Sequence, residues 1–346
     1  MIIQKKMIRK RLNITRLFFP LLLVLTACLP HEGSSEGKSE FVIGTLCTIN
    51  LFEDGRPALY DRLFNRLAEL EIILSANRDD SVLARVNRNA GLQAVEIPGE
   101  LYAVLERALY FAEATGGAFD PTIGPLVKLW GIGTESARIP SGREIDTALA
   151  LVNYRELELN GNTAFLKNRG MALDLGAIAK GYAADELVKI LREEGVTRAL
   201  LDLGGNVYVW GKKENGTPWR IGVQDPLAPR GTYLGILELE GSISVVCSGV
   251  YERFFTGEDG RRYHHILELR EQGESRRGYP TMNGVLSTTI IAASSMDADA
   301  LSTSCFILGY EKGATLAAAN GAEVLFMEES GIRGSTGAMT VFSLKE

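Results

Sequence analysis

Asp299 and Thr303 are the residues whose types and spacing best suit a divalent cation. They stand four positions apart in the segment 297–303, which reads DADALST, so in a helix they share one face. A carboxylate and a hydroxyl side by side offer two oxygen ligands to Mg²⁺, which completes its shell with water and substrate phosphates. The alternative is an ordinary helix N-terminus with a solvated aspartate.

A second segment, residues 173–182, suits a diphosphate. It reads LDLGAIAKGY, with a strand ending near Asp174 and a helix beginning before Lys180. The N–H groups and the positive dipole end at a helix start attract phosphate, and the lysine adds a full charge. The alternative is a plain strand–helix junction with a solvated lysine.

A third segment, residues 115–126, combines glycines with an aspartate. It reads TGGAFDPTIGPL. Glycines let a backbone approach a ligand closely, and Asp120 can accept hydrogen bonds from ribose or base donors. The alternative is a helix C-cap followed by a proline turn.

Two adjacent histidines, His264 and His265, follow the segment 246–253, which reads VCSGVYER. In such a pair one ring is usually exposed and the other buried, and one of them can transfer protons. Because the chain has only 3 histidines, it cannot build a multi-histidine site. The sequence therefore points away from zinc and towards a hard cation with oxygen ligands. A P-loop is absent, and the glycines around residue 132 lack the third glycine of a dinucleotide fingerprint.

The composition indicates a globular protein without a nucleic-acid partner. The 346 residues are 46% hydrophobic and carry a net charge of −6, whereas phosphate backbones require a basic face. Apolar periodicity predicts helices over 61–74, 99–115, 177–194 and 297–308. It predicts strands over 41–52, 198–203, 207–210, 220–223, 235–239 and 242–247. Consecutive strands with short turns indicate an α+β fold of mostly antiparallel sheets packed with helices.

The first 27 residues resemble an export signal. They hold six basic side chains and no acidic one, and the apolar run at 17–25 is shorter than the roughly 20 residues of a membrane span. The segment 25–28, LTAC, resembles a bacterial lipobox, in which Cys28 is acylated; an ordinary signal peptide with a chance cysteine is the alternative. We therefore expect a signal peptide at 1–27, a flexible tether at 28–40 after lipidated Cys28, and a domain at 41–346. The protein would be exported and lipid-anchored on the periplasmic or extracytoplasmic face of a bacterial membrane.

Taken together and in this order, these segments resemble the FAD:protein FMN transferase (ApbE) family of bacterial lipoproteins. The similarity runs from about residue 41 to residue 308. The matching pieces are Ile43-Gly44-Thr45, Leu74-Ser75 with Ser81 and Asn87, GAFDPT at 117–122, Trp130-Gly131, DLGAIAKG at 174–181, Gly204-Gly205-Asn206, Ser248-Gly249 with Tyr251, His265-Ile266, and Asp299 with Thr303.

The resemblance implies an ApbE-like fold with an FAD site in a cleft between two subdomains. It also implies Mg²⁺-dependent phosphoryl transfer. A Thr or Ser hydroxyl of an exported target protein, in an Asp-x-x-Ser/Thr-Gly-Ala-Thr/Ser motif, attacks the phosphorus on the riboflavin side of FAD. AMP leaves, and FMN stays attached through a phosphoester.

Position by position, the resemblance assigns Mg²⁺ to Asp299, Thr303 and the backbone carbonyl of Ala177. His265, together with Asp299, would be catalytic and would help to activate the attacking hydroxyl or water. The implied FAD contacts are Ile43, Asn77, Ala118, Phe119, Asp120, Asp174, Lys180 and Ile266.

Two departures from the family pattern matter. Many relatives have an aromatic residue where Asn77 stands, and the smaller amide can hydrogen-bond a water molecule. We therefore expect this protein also to hydrolyse FAD to FMN and AMP. Leu267-Glu268-Leu269 replaces the usual Asp-Pro continuation, so the loop that follows is expected to differ. The alternatives are an FAD pyrophosphatase that acts mainly on water and a passive FAD-binding lipoprotein.

Overall fold

The computed structural model describes residues 37–53, 55–270 and 277–345, which are built around one eight-stranded sheet. These described residues cluster as one compact unit. The predicted signal peptide, Cys28 and most of the predicted tether lie outside the described residues. The first described strand begins at Lys38, and the domain boundary at residue 41 stays a prediction.

Sixteen strands are found in the described part of the chain. They are β1 (Lys38–Val42), β2 (Thr45–Asn50), β3 (Val95–Glu96), β4 (Leu157–Asn160), β5 (Thr163–Leu166), β6 (Arg198–Leu203), β7 (Asn206–Gly211), β8 (Trp219–Gln224), β9 (Tyr233–Leu239), β10 (Ile243–Gly249), β11 (Phe254–Thr256), β12 (Arg262–His264), β13 (Val285–Ala292), β14 (Glu323–Glu328), β15 (Gly331–Gly334) and β16 (Phe342–Leu344).

Eight α-helices accompany them within the same described ranges. They are α1 (Pro57–Leu74), α2 (Val82–Arg88), α3 (Gly99–Ala114), α4 (Gly124–Trp130), α5 (Gly142–Leu149), α6 (Ala179–Glu193), α7 (Ser295–Ala319) and α8 (Thr336–Val341), with a 3₁₀ turn at Tyr154–Glu156. The helices predicted at 61–74, 99–115 and 177–194 are confirmed as α1, α3 and α6. The helix predicted at 297–308 is the first half of α7, which continues beyond a non-helical Gly309.

The large sheet has the strand order β1-β2-β6-β7-β10-β13-β14-β15, and all its neighbours pair antiparallel. Smaller sheets are β3-β5-β4, β16-β9-β8 and β11-β12. The α+β prediction with antiparallel sheets is thereby confirmed. The single strand predicted at 41–52 was wrong: the chain turns at Ile43 and Gly44, which have φ of 50° and 72°, and forms the β1–β2 hairpin.

Alternation along the strands gives the large sheet two apolar faces. On one face, residues such as Leu201 and Ile290 pack with α1, α3, α6 and α7 in the main core. On the other face, residues such as Val209 and Ile291 pack against the β16-β9-β8 sheet. A third, smaller cluster lies under α4 and α5. Ile266 belongs to the main core and Leu267 to the third cluster, so the chain at the predicted FAD site lies where these two clusters meet.

The cysteines of the described residues, Cys47, Cys247 and Cys305, are free thiols. Burial raises the pKa of Cys47 to about 12 and that of Cys247 to about 11, so neither is a ready nucleophile. Among the described helices, none is both long and apolar enough to cross a bilayer.

Candidate active site

The beginnings of α6 and α7 meet at Gly181. A Cβ at this position would lie 2.1 Å from the carbonyl oxygen of Ser295, so only glycine permits the approach. The N–H of Gly181 donates to Asp299 Oδ2 at 2.9 Å. In a regular helix that N–H would donate to the carbonyl of Ala177. Because it does not, no described residue donates a hydrogen bond to the Ala177 carbonyl, and the oxygen is available to a ligand.

Lys180 and Thr303 extend this junction. Lys180 Nζ lies 3.6 Å from Asp299 Oδ1 and donates to the carbonyl of Gly176 at 3.3 Å. Thr303 Oγ1 lies 3.4 Å from Ser248 Oγ, at the end of β10. Asp299 itself is only 3% exposed, so its carboxylate is held by these neighbours rather than by bulk water. The structure thus brings Lys180 to Asp299, while Thr303 lies one helical turn further along α7, beside Ser248.

The donors at the junction are a carbonyl, a carboxylate and a hydroxyl. This set fits a hard cation such as Mg²⁺, which takes oxygen ligands and keeps several waters. In the described ranges, three or more His, Cys, Asp or Glu side chains do not gather into a metal-binding group. The chemistry of these groups fits Mg²⁺. The assignment of Ala177, Asp299 and Thr303 as its ligands stays a prediction.

Sequence reasoning missed the two side chains that hold α7 in place. Asp185, on α6, accepts hydrogen bonds from the N–H groups of Ser295 (2.8 Å) and Met296 (3.0 Å) and so caps the start of α7. Arg107, on α3, forms a bidentate ion pair with Asp297 at 2.7 and 2.9 Å. Asp185 lies four residues after Gly181, on the same helix face, and that spacing is the signal that could have identified it.

The two glycine-containing segments found in the sequence lie side by side. The N–H of Asp174 donates to the carbonyl of Pro121 at 2.9 Å, and the N–H of Gly124 donates to the carbonyl of Ala172 at 3.1 Å. The Asp174 carboxylate accepts from the N–H of Gly176 at 2.9 Å. Burial raises the pKa of Asp174 above its ordinary value. This hydrogen bond and the charges of Arg253 and Lys180 offset only part of that rise.

Asp120 organises its loop through both carboxylate oxygens. Oδ1 accepts from the N–H and the hydroxyl of Thr122 at 2.8 and 2.7 Å, and Oδ2 accepts from the N–H of Tyr154 at 2.9 Å. Burial raises the pKa of Asp120 above its ordinary value, and these hydrogen bonds offset only part of that rise. The side chains of Ala118 and Phe119 are buried in the main core. A contact of residues 118–120 with FAD therefore falls mainly to their backbone.

The two histidines have different environments, as expected for such a pair. His264 is buried; its Nδ1 accepts from the N–H of Ile266 at 3.3 Å, and its Nε2 faces the carbonyl of Thr281 at 3.0 Å, which requires a proton on Nε2. His265 is partly exposed, and its Nδ1 lies 3.3 Å from the carbonyl of Arg253. A carbonyl only accepts, so Nδ1 carries the proton and Nε2 keeps a lone pair. Burial lowers the pKa of His265 to about 3 and that of His264 to about 4, so both rings are neutral at pH 7.

The remaining predicted contacts stand apart from this network. Ile43 forms the β1–β2 turn, and exposed Asn77 follows α1, where its N–H donates to Ser75 Oγ at 3.2 Å. Neither residue makes a hydrogen bond or an ion pair with the other predicted site residues of the described chain. Two pieces of the family pattern near Asn77 have structural roles: Ser81 caps α2, and Asn87 pairs with the backbone of Leu173 at 2.7 and 3.0 Å.

Glu252 and Arg253 are further site residues that the sequence reasoning did not single out. Both side chains are exposed to solvent. Nearby protein atoms still remove part of the hydration of the Glu252 carboxyl group, and this desolvation, opposed by Lys180 and reinforced by Asp299, raises its pKa to about 7. Their position directly after Tyr251, inside a segment that the sequence did highlight, is the signal that could have found them.

The fold and the site define an α+β protein that gathers oxygen ligands and a lysine at one junction and holds a neutral histidine against the Arg253 carbonyl, a set of groups suited to phosphoryl chemistry. This chain belongs to the ApbE family, whose sequence profile matches residues 43–326. It is 41% identical over 344 residues to the FAD:protein FMN transferase of Treponema pallidum (strain Nichols), with 91% of this chain and 92% of that protein covered. It is 38% identical over 277 residues to the FAD:protein FMN transferase of Klebsiella pneumoniae (strain 342), with 80% and 83% covered. The apo crystal structure of Pseudomonas stutzeri flavinyl transferase ApbE superposes with a TM-score of 0.76 at 30% identity, covering 90% of this chain and 98% of that one.

Proposed function

We propose that this protein is an FAD:protein FMN transferase that depends on Mg²⁺. The observation that carries the proposal is the contact of Gly181 with Asp299, which frees the Ala177 carbonyl beside a carboxylate and a lysine. Two relatives named FAD:protein FMN transferase cover most of this chain and support it. FAD is the donor substrate, and the acceptor is a Thr or Ser hydroxyl in an exported protein.

Mg²⁺ would be held by Ala177, Asp299 and Thr303, and when bound it would neutralise the diphosphate of FAD and make the phosphorus easier to attack. Lys180 adds a positive charge at the same place. The acceptor oxygen bonds to the phosphorus on the riboflavin side, and the bond from that phosphorus to the bridging oxygen breaks. AMP leaves with that oxygen.

We propose that His265 takes the proton of the attacking hydroxyl. Its Nδ1–H is committed to the Arg253 carbonyl, so the lone pair on Nε2 is the acceptor. Its lowered pKa keeps that lone pair free at neutral pH. We expect positioning and charge neutralisation to contribute more than this proton transfer, because phosphoryl transfer passes through a loose transition state.

A hydrolytic side reaction is the second activity that we propose. Asn77 is exposed in the loop that joins α1 to α2, and its amide can hold a water molecule where many relatives carry an aromatic ring. Water would then replace the acceptor hydroxyl and yield free FMN and AMP. Asn77→Tyr should lower FMN release in the absence of acceptor while transfer to acceptor persists; unchanged FMN release would contradict this role.

The main test uses residues 29–346, which contain the whole compact unit. The protein is incubated with FAD and Mg²⁺, with and without a peptide carrying Asp-x-x-Ser-Gly-Ala-Thr, and AMP, FMN and peptide mass are followed. A peptide that gains the mass of FMN, with Asp299→Ala inactive, supports the transferase. FMN and AMP without a peptide adduct would indicate a pyrophosphatase. If FAD is bound but stays intact, the result would indicate a passive FAD-binding lipoprotein instead of an enzyme.

We also propose that the chain is exported and held at a bacterial membrane through acylated Cys28. The basic and apolar first 27 residues and the LTAC segment support this. Fractionation of cells that express the full chain tests it: wild type should sediment with membranes and carry an acyl chain at Cys28. Cys28→Ser should lose the acyl chain and leave the membrane fraction, and a membrane-bound, unmodified wild type would contradict the proposal.

A further inference from the structure

Arg253 lies next to the proposed base. It directly precedes β11, and its carbonyl oxygen is 3.1 Å from the backbone nitrogen of His265 and 3.3 Å from Nδ1 of the same residue. The backbone of Arg253 therefore sets the orientation of the His265 ring. Its side chain therefore begins beside His265, the proposed base.

Among the described residues, the guanidinium of Arg253 has no hydrogen-bond or ion-pair partner. Its aliphatic stem lies over Gly133, where an added Cβ would be 3.2 Å from Arg253 Cδ. The side chain is exposed, and no described residue forms a hydrogen bond or an ion pair with it. By contrast, Lys180 is shared between Asp299 and the carbonyl of Gly176. Within the described part of the chain, the guanidinium N–H groups of Arg253 thus remain open to a ligand.

The charge of Arg253 acts on the site. Three groups respond to it: besides the dominant effect of burial, its positive charge lowers the pKa of Asp174, Glu252 and His265. The carboxylates of Asp174 and Glu252, together with that of Asp299, give the site an excess of negative charge. A diphosphate adds further negative charge, which a guanidinium at this place would offset in addition to Lys180.

We propose that the guanidinium of Arg253 binds the diphosphate of FAD and acts as a specificity-determining residue for phosphate-bearing ligands. The inference rests on the proposed function, since it takes FAD as the ligand of this site. A planar guanidinium can donate two parallel hydrogen bonds to phosphate oxygens, which an ammonium group cannot do.

The test compares Arg253→Gln with Arg253→Lys in residues 29–346. Arg143→Gln is the matched control, because Arg143 is also exposed, has no ion pair within the described chain and lies on α5. Affinities for FAD, ADP, adenosine and riboflavin are measured by calorimetry in EDTA, so that no cation bridges the phosphates. Thermal unfolding and the circular-dichroism spectrum of each variant are recorded alongside.

We expect Arg253→Gln to lower the affinity for FAD and for ADP about tenfold. The affinities for adenosine and riboflavin should stay within about twofold of wild type. Arg253→Lys should recover part of the loss, and Arg143→Gln should bind like wild type. Two results would overturn the proposal: wild-type ADP affinity in Arg253→Gln, or an equal loss of ADP and adenosine affinity. Failure of the proposed function is distinguishable, since it would appear as absent FMN transfer by wild type while these affinities are still measurable.

Discussion

Replacing Gly181 by alanine tests the geometry of the site, because helix propensity and packing predict opposite signs. Gly181 lies inside α6 and its φ is not positive, so alanine alone would favour the helix by about 1 kcal/mol. The added Cβ, however, would lie 2.1 Å from the carbonyl oxygen of Ser295 and 2.7 Å from Met296 Cα. The first distance is more than about 1 Å inside the roughly 3.5 Å at which nonbonded atoms attract.

The neighbouring atoms are backbone, so they can give way only if α7 moves. Overpacking of this kind costs about 1–3 kcal/mol. Moving α7 also stretches the bond between the Gly181 N–H and the buried Asp299 carboxylate, which is worth about 1.5–3 kcal/mol. Set against the gain in propensity, we expect Gly181→Ala to lower the free energy of unfolding by about 3 kcal/mol. It should also weaken Mg²⁺ binding, because α7 carries Asp299.

Urea denaturation followed by circular dichroism measures the first effect, and Mg²⁺ titration of the folded variant measures the second. Gly142→Ala is the control: Gly142 opens α5, and an added Cβ there would meet no atom within 4 Å. The control should unfold within about 0.5 kcal/mol of wild type. A Gly181→Ala variant as stable as wild type, with unchanged Mg²⁺ affinity, would refute the reasoning.

Three further predictions concern the side chains of the site. Asp299→Asn should lower Mg²⁺-dependent turnover at least about a hundredfold while the fold persists, since Asn can still accept from Gly181; turnover near wild type would remove Asp299 from catalysis. NMR of the imidazole carbons should show His264 and His265 neutral from pH 8 to pH 5, because burial lowers their pKa values to about 4 and about 3; a titration near pH 6.5 in either ring would contradict the structure. Glu252, whose pKa burial raises to about 7, loses its proton between pH 6 and 8, so FAD affinity without added metal should fall over that range; Glu252→Gln should flatten the dependence, and an equally steep profile in this variant would exclude Glu252.

Local patterns were enough for several parts of this protein. The period of about 3.6 residues in α1, α3 and α6, and the succession of short strands after them, indicate an α+β fold with antiparallel sheets. The spacing of Asp299 and Thr303 places both on one face of α7 without reference to any other element. These features depend on residues a few positions apart, which interact in any helix or hairpin.

The active-site junction depends on contacts that no local pattern contains. Gly181 and Asp299 are separated by 118 positions, and their hydrogen bond exists only because α6 and α7 approach within backbone contact. The same holds for Asp185 at the start of α7 and for the Arg253 carbonyl that orients His265. Asp120 is a further case, because one of its carboxylate oxygens accepts a hydrogen bond from the N–H of Tyr154, which is 34 positions away in the sequence.

The sequence by itself therefore determined three of the main helices, the α+β class with antiparallel sheets, and the family. The tertiary structure decided which hydrogen-bonding groups already have a partner within the described chain, as in the Asp120 carboxylate and the Lys180 ammonium group, and which have none there, as in the Ala177 carbonyl and the Arg253 guanidinium. The physical reason is that a hydrogen-bonding group has a fixed capacity. Whether that capacity is spent inside the protein depends on which distant segments the packed core brings within about 3 Å.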